Sequence, residues 1–328
     1  MIESRNKDFI EKIKNRAERS LKIEEVYLNS KFYSETINYL QKQKYLKFPS
    51  INKLLKNSFI SNYPLGYVMK NENNNVVGFM GTIYSRRNFN NQEYIYCNIH
   101  SWIVDETYRI NSFLLLMPLI NQKITLTAFT PVKSLVGLLE KFNFKKVKMK
   151  HRVICFFNFF ILKNNDYIIE KDSDIIKKKI NQADLKIYEN YNKLPYEKFI
   201  ITNKIDSSKY IFVIASRAKK KGLNVLNLFY ISNKEEFKKN WDKFKFIILK
   251  EFKVNFCSQY FFNDVYSALP DNIFLSKTEE KYVCIKNALT NINLDILYSD
   301  LIGWKNHFFT FLSKTNSDCG YSAVKKFS

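Results

Sequence analysis

The chain has 328 residues, of which 46% are hydrophobic, 16% aromatic and 26% charged, and its formal net charge is +22. This length and composition are typical of a globular protein with room for two domains, and they exclude a disordered or fibrous chain. The basic balance favours anionic ligands, but the Lys runs are short and no Arg-rich segment occurs, so a dedicated nucleic-acid binder is not favoured.

The cysteines and the most apolar segment restrict the class further. The five cysteines are odd in number and form no C-x-x-C pair, so neither a zinc site nor a disulfide framework is predicted, and the reducing cytoplasm is the expected location. The longest apolar run, Val153 to Leu162, has ten residues and is too short to span a bilayer as a helix. Its β-branched and aromatic residues predict a buried strand, and no membrane span is expected.

The first half alternates between strand and helix patterns. Residues 5 to 45 read as helices, and Gly66–Lys70 and Val76–Tyr84 predict a hairpin around a polar turn. A third strand is predicted from Tyr94 to Val104, and a helix from Asn111 to Asn121.

A fourth strand, Lys123 to Phe129, precedes a helix that Thr130 caps and Pro131 begins. Strand structure resumes at Phe144. The apolar face of the helix is marked by residues at helical spacing: Leu135, Leu138, Leu139 and Phe142.

The second half repeats this order. Residues 164 to 184 are polar and without a hydrophobic period, which predicts two domains, 1–165 and 166–328. Strands Tyr210–Ser216 and Asn224–Ser232 surround a turn with Gly222, and Ser232 or Asn233 caps a helix. A further strand, Val254–Phe262, follows. The second domain is therefore predicted to be a degenerate copy of the first, although no alignable sequence repeat occurs.

The most informative stretch runs from Tyr94 to Phe144. A strand ends in VDETYR, a helix begins at once, and a second helix ends in LEKFNF. This pattern resembles the GNAT superfamily of acyl-CoA N-acyltransferases, whose motifs are V-x-P-x-Y-R-x-x-G-x-G/A and Y-E-K-x-G-F. The resemblance covers residues 30 to 150 and implies a mixed α/β fold, with a GNAT-like N-terminal domain followed by a second GNAT-like α/β domain.

The resemblance implies acyl-CoA as co-substrate. Ile103, Val104 and Asp105 would flank the pantetheine arm as an added strand. A strand that runs directly into a helix also leaves the first helical N–H groups unpaired, with the positive end of the helix dipole. By the resemblance, the loop that holds the pyrophosphate would consist of Arg109, Ile110, Asn111, Ser112 and Phe113.

The chain departs from the family pattern at positions that carry chemistry. Glu106 stands where the family has Pro, Ser112 and Leu114 stand where it has small residues, and Val132 replaces Asn. Leu139 replaces the Tyr that commonly protonates the leaving thiolate. The positions that build the scaffold are therefore kept better than the positions that act on substrate.

His100 and Tyr108 are the candidate catalytic residues. Strand alternation predicts that Asn98, His100, Trp102 and Val104 share one face, which would be unusually polar for a central strand. His100 is then a base beside the cleft or a hydrogen-bonded histidine of the core. Tyr108 is a lesser candidate.

Three functions remain open. The leading one is transfer of an acyl group from coenzyme A to a small-molecule amine such as an amino sugar or amino acid. The alternatives are a non-catalytic GNAT-like binding module and a Fem-type aminoacyl transferase, which would bind aminoacyl-tRNA. In the second domain, the DILYSD segment that ends at Asp300 predicts a helix start, and Trp304 is a candidate wall of the first domain's cleft.

Overall fold

The computed structural model describes residues 21–43, 55, 59–89, 92–155, 166–206, 208–220, 222–262, 267–270, 276–287 and 296–303. Within these residues twelve strands form one mixed sheet: β1 (Lys22–Val26), β2 (Gly66–Lys70), β3 (Val76–Phe89), β4 (Gln92–Val104), β5 (Thr125–Ala128), β6 (Lys145–Cys155), β7 (Tyr167–Glu170), β8 (Glu197–Asn203), β9 (Tyr210–Lys220), β10 (Leu223–Ile231), β11 (Phe256–Phe261) and β12 (Ser276–Lys286).

The helices lie on both faces of this sheet. A 3₁₀-helix spans Glu106–Leu116, and the α-helices are α1 (Lys31–Lys42), α2 (Met117–Ile120), α3 (Lys133–Lys141), α4 (Ser173–Lys179), α5 (Gln182–Tyr191), α6 (Lys234–Lys239), α7 (Trp241–Phe252) and α8 (Asp300–Gly303).

The strand order repeats about the middle of the sheet. The order is β1-β2-β3-β4-β5-β12-β6-β11-β10-β9-β8-β7. If β1 is exchanged with β7, β2 with β8 and so on to β6 with β12, the same order results, read from the opposite edge of the sheet. The directions repeat as well: β4–β5 and β10–β11 are parallel, and the other pairs are antiparallel. The second half is thus a structural copy of the first, and each half contributes its sixth strand to the centre.

Both halves also repeat the same irregularities. β4 pairs with β5 only over Tyr96–Asn98, and β10 pairs with β11 only over Val225–Leu228, so each pair separates before the longer strand ends. Just beyond, each longer strand has a β-bulge. In β4 the bulge includes Ser101, whose φ is +47°. Bulges of this kind bend a strand and redirect the side chains that follow.

Four buried clusters hold the layers together. One packs beneath α1, one beneath the 3₁₀-helix and α3, and one beneath α6 and α7. The fourth joins the two halves on one face, for example through Ile83, Phe129, Phe212 and Val283. Burial of each large apolar side chain contributes about 1.5–3 kcal/mol. The two predicted domains therefore share one sheet and one core cluster, and their boundary at residue 165, in a stretch outside the described residues, stays a prediction.

Several sequence predictions are confirmed. The first hairpin, the β4 strand, the Gly222 hairpin and the Asn233 cap of α6 occur as expected. The apolar residues at helical spacing that follow Asn233 are buried: Phe237, Trp241, Phe244 and Ile248.

Other predictions are wrong in instructive ways. Lys22–Val26, expected within a helix, is an edge strand that pairs with β2. The stretch from residue 164 to 184, in which the sequence shows no hydrophobic period, contains β7, α4 and the start of α5. The helix predicted from Asn111 begins at Glu106 as a 3₁₀-helix. Thr130 does not cap α3, because Val132 is the cap residue and the Thr130 hydroxyl donates to Asp300.

Candidate functional site

The sheet has a gap in its centre beyond the end of β5. β5 ends at Ala128, whereas β4 continues to Val104 on one side and β12 extends from Val283 back to Ser276 on the other, where it pairs only with β6. The chain leaving β5, Phe129 and Thr130, enters this gap. Among the described residues, no strand pairs with the β5-side edge of β4 between Ile99 and Val104.

A segment from the second half closes one side of the gap. The backbone N–H of Asp300 donates to Asn98 Oδ1 at 2.8 Å, and the Thr130 hydroxyl donates to Asp300 Oδ2 at 2.5 Å. Arg87 donates to the carbonyl of Leu297, and its guanidinium lies over the rings of Tyr96 and Tyr298, at 4.8 and 5.6 Å. Residues of β3, of β4 and of the chain after β5 therefore fix the position of the Asp300 carboxylate.

Asp300 is the most perturbed acid of the site. It is 2% exposed, and its Oδ1 atom has no hydrogen-bond partner within the described part of the chain. Burial raises the pKa of Asp300 to about 6, against the opposing effect of the Thr130 and Asn98 hydrogen bonds. A carboxyl with such a pKa can exchange a proton near neutral pH.

An open pocket of about 620 Å³ lies at the end of β5. Its lining includes Phe129, Thr130 and Leu301. Thr130 bonds to the Asp300 carboxylate and Leu301 follows Asp300 in the chain, whereas Asp300 itself is buried behind them and does not line the pocket. The lining also includes three lysines and one glutamate: Lys133, Lys146, Lys281 and Glu140. We call this the β5-end pocket. Desolvation lowers the pKa of Lys281, which is partly buried there.

Three of the buried polar atoms that lack a partner among the described residues lie on β4 or on the segment that meets it: His100 Nε2, Trp102 Nε1 and Asp300 Oδ1. An unsatisfied buried group costs about 1–3 kcal/mol. His100 packs against β3 and Trp102 packs beneath the 3₁₀-helix, so of the three only Asp300 lies where β4 and β5 separate. An unsatisfied buried acid at that position is typical of a site that a ligand completes.

The β4 bulge changes the face that the sequence predicted. Asn98 and His100 lie on one face as expected, but Trp102 and Val104 pack into the cluster beneath the 3₁₀-helix, on the opposite face from Ile103. The extra residue in the bulge reverses the alternation after His100, so the prediction that all four share a face is wrong.

His100 is a buried neutral histidine. It is 3% exposed, its Nδ1 lies 3.0 Å from the Ser101 hydroxyl, and burial lowers its pKa to about 4. Its ring lies over Gly81 on β3, where an added Cβ would be 2.3 Å from Cε1. Tyr108 is half-buried, and its hydroxyl accepts from Asn71 in the turn after β2. The structure therefore directs neither candidate toward the end of β5.

The residues predicted to hold coenzyme A occupy the junction of β4 and the 3₁₀-helix. Ile103 and Val104 are buried in core clusters, and Asp105 accepts from the Tyr39 hydroxyl. The 3₁₀-helix begins three residues before Arg109, and the N–H groups of such a helix bond to carbonyls three residues back, as Tyr108 does to Asp105. Those of Glu106 and Thr107, in the first turn, are the ones left open to solvent.

The rest of the predicted phosphate loop divides between surface and core. Arg109 and Ile110 are exposed, Asn111 and Phe113 are buried, and Ser112 is half-buried. Leu114 packs against the cluster beneath the helix. Asp300 and Thr130 were missed as site residues because they meet only through the fold, and the local signal of the DILYSD segment indicated a helix start alone.

No helix among the described residues is long and apolar enough to cross a membrane. Within the same ranges, no three His, Cys, Asp or Glu side chains are grouped to hold a metal ion. Trp304, the predicted cleft wall, lies outside the described residues.

Comparison with known proteins identifies the fold. No family model matches the sequence, and no curated protein matches it significantly. Among solved structures, a GCN5-related N-acetyltransferase from Anabaena variabilis superposes with a TM-score of 0.55 at 11% identity, covering 81% of this chain and 72% of that one.

Two further structures agree. A protein of unknown function from Enterococcus faecalis, described as a probable N-acyltransferase, superposes with a TM-score of 0.54 at 12% identity, covering 81% of this chain and 72% of that one. A GCN5-related glucosamine N-acetyltransferase region of a fungal multi-domain β-N-acetylglucosaminidase superposes with a TM-score of 0.53 at 10% identity, covering 83% of this chain and 38% of that one. The chain therefore has a GNAT fold, as its β4 junction predicted.

Proposed function

We propose that this chain is an acyl-CoA-dependent N-acyltransferase that acts on a small amine such as an amino sugar or an amino acid. The observation that carries the proposal is the open edge of β4 between Ile99 and Val104, which faces the gap beyond β5. Backbone groups on such an edge can pair with an extended ligand that carries amides. The pantetheine arm of coenzyme A is such a ligand.

Ile103, Val104 and Asp105 are proposed to contribute backbone groups to the pantetheine, since their side chains face the core or bond to Tyr39. The open N–H groups of Glu106 and Thr107 lie next along the chain, at the positive end of the 3₁₀-helix. Together with the exposed Arg109 they suit the pyrophosphate better than the amides from Ile110 to Phe113.

The same geometry supports a role for the second domain. The segment around Asp300 closes one side of the gap, through the bonds of Asp300 to Asn98 and Thr130. We propose that the division into residues 1–165 and 166–328 is functional, in that the first domain holds the acyl donor and the second completes the acceptor side.

The first experiment measures binding and turnover in the full chain. Coenzyme A at 100 times its Kd is expected to stabilise the fold by about 2.7 kcal/mol. Acetyl-CoA with glucosamine or glycine is expected to release free thiol. Stabilisation without thiol release for any amine would support a binding module instead. If coenzyme A does not stabilise the fold, no thiol is released, and tRNA binds with a steep salt dependence, the result would support a Fem-type transferase.

A matched pair of variants tests the pyrophosphate position. Thr107→Asp places a carboxylate at the N-terminus of the 3₁₀-helix, where it stabilises the free protein by about 0.3–1 kcal/mol but repels a pyrophosphate. Thr107→Asn is the neutral control of similar size. We expect coenzyme A to bind at least about tenfold more weakly to the Asp variant than to the Asn variant, a difference of about 1.4 kcal/mol. Equal affinities would contradict pyrophosphate binding at this position.

A further inference from the structure

Resting on the proposed function, we propose that the acceptor enters through the β5-end pocket, that Asp300 takes the proton of its amine, and that the acceptor also carries an anionic group. This assigns proton transfer to a residue of the second domain, instead of to His100 or Tyr108.

The position of Asp300 is the first argument. Its backbone bonds to Asn98, the last residue of β4 that pairs with β5, and its carboxylate bonds to Thr130, two residues after β5 ends. The carboxylate thus lies where the two strands separate, which is where a thioester carried along the β4 edge would end. Its Oδ1 atom is buried and has no partner among the described residues, so the lone pairs of this oxygen are unused in the free protein.

The surroundings of Asp300 fit a proton acceptor. The groups that bond to it from β4, from the chain after β5 and from its own helix are Asn98, Thr130 and the N–H of Leu301, none of which titrates. In contrast, His100 lies against β3 and has a pKa of about 4, which makes it a weak base. The pKa of about 6 for Asp300 is closer to the range that general bases use.

The lysines of the pocket indicate the acceptor class. Within the residues that the structure describes, Lys133, Lys146 and Lys281 form no salt bridge; Glu140 is the one acid of the pocket lining, and Glu279 acts electrostatically on Lys281. Excess positive charge in a concave site concentrates anions. The pocket therefore fits an amine that also carries a phosphate or carboxylate, such as an amino-sugar phosphate or an amino acid.

The chemical step balances as follows. The acceptor ammonium gives one proton to the Asp300 carboxylate, and the nitrogen lone pair forms a C–N bond with the thioester carbonyl carbon. The C–S bond breaks, its electron pair stays on sulfur, and the thiolate takes the second proton from nitrogen. Amide and free thiol result, and Asp300 returns its proton to solvent.

The test uses two matched amine pairs, glucosamine with glucosamine 6-phosphate and glycinamide with glycine, and acetyl-CoA in the full chain. We expect the anionic member of each pair to have the lower KM. Lys281→Met should raise KM for glucosamine 6-phosphate about tenfold more than it raises KM for glucosamine. Asp300→Asn should lower kcat at least about 100-fold while stabilisation by coenzyme A persists.

Thr130→Val provides a second variant that retains Asp300. Because the Thr130 hydroxyl lowers the pKa of Asp300, its removal should move the acid limb of kcat/KM to higher pH. Asp242→Asn, an exposed carboxylate on α7, is the control and should change nothing. Unchanged kcat in Asp300→Asn, or an unmoved acid limb in Thr130→Val, overturns the inference. Failure of the wild type to release thiol with any of the four amines overturns the proposed function itself, whether or not coenzyme A stabilises the fold, whereas thiol release with either of the two results above overturns the inference alone.

Discussion

Replacing Gly81 with Ala is expected to destabilise the fold because the His100 ring occupies the space that a Cβ would need. An added Cβ would lie 2.3 Å from Cε1, 2.6 Å from Nε2 and 2.7 Å from Nδ1 of that ring. The ring is buried and cannot swing into solvent. Overpacking of this kind costs about 1–3 kcal/mol, and displacement of the ring also loses the Ser101 hydrogen bond, worth about 1 kcal/mol. The gain from replacing a strand glycine, about 0.5–1 kcal/mol, offsets part of this. A net loss of about 2 kcal/mol remains.

The assay is urea denaturation of three variants. Gly137→Ala is the matched control, since Gly137 lies in α3 with no atom within 4 Å of its added Cβ, and a helical Gly-to-Ala change stabilises by about 0.5–1 kcal/mol. His100→Ala added to Gly81→Ala should restore part of the lost stability, because it removes the atoms that collide. A Gly81→Ala variant as stable as wild type, or no recovery in the double variant, would refute the assigned ring position.

Three further predictions follow from buried groups. As pH rises from about 4 to about 6, the free energy of unfolding of Asp300→Asn should increase relative to that of wild type by up to about 3 kcal/mol. Because the pKa of Asp300 is raised to about 6 in the folded state, its ionisation destabilises the wild-type fold in this pH range, and the Asn variant avoids that cost. Urea midpoints measured across pH test this. Asn227→Ala should lower the free energy of unfolding by about 1–3 kcal/mol in the same assay, because it removes the hydrogen-bond acceptor of the buried Ser258 hydroxyl. Asn240→Ala should lower it less, because Asn240 is only half-buried. In a Cys319→Ser background, native thiol labelling should modify Cys155 first, because Cys155 is partly exposed whereas Cys97, Cys257 and Cys284 are buried.

Local sequence pattern predicted the parts of the fold whose stabilisation is local. The hairpin of β2 and β3 has a polar turn between two apolar arms, and α7 has one apolar face at helical spacing, so both could be read directly. β12 could not. Its KTEEKYVCIK segment is charged because Ser276 to Val283 borders the gap beyond β5 and pairs only with β6. A charged central strand is possible here because the sheet is open beside it.

The candidate site was likewise predicted only where its sequence signal is local. The β4 junction is a continuous motif and was found, and its resemblance to the GNAT pattern identified the fold. The bulge at Ser101 was not predictable, because a residue at positive φ within a strand pattern leaves no periodic signal, and it moved Trp102 to the other face. Asp300 lies 202 residues from its partner Asn98, so no local pattern could associate the two.

The two halves differ at the points where their parallel strand pairs, β4–β5 and β10–β11, separate, and the difference predicts a single coenzyme A site. In the first half, the Asn98 side-chain oxygen accepts from the Asp300 N–H, and Oδ1 of the Asp300 carboxylate has no partner among the described residues. In the second half, the equivalent Asn227 is satisfied internally by Ser258 and Ser216.

In β11 and β6 of the same sheet, Gln259 accepts from the Ala268 N–H, and Arg152 donates to Ser267 and Leu269, so segment 267–269 is held by paired polar groups and contains no acid. A polar network that is fully satisfied stabilises structure, whereas an unsatisfied acid is retained at a cost that a ligand relieves. We therefore expect calorimetric titration to give one coenzyme A per chain. Two equivalent sites per chain would contradict the division of the duplicated fold into one catalytic half and one supporting half.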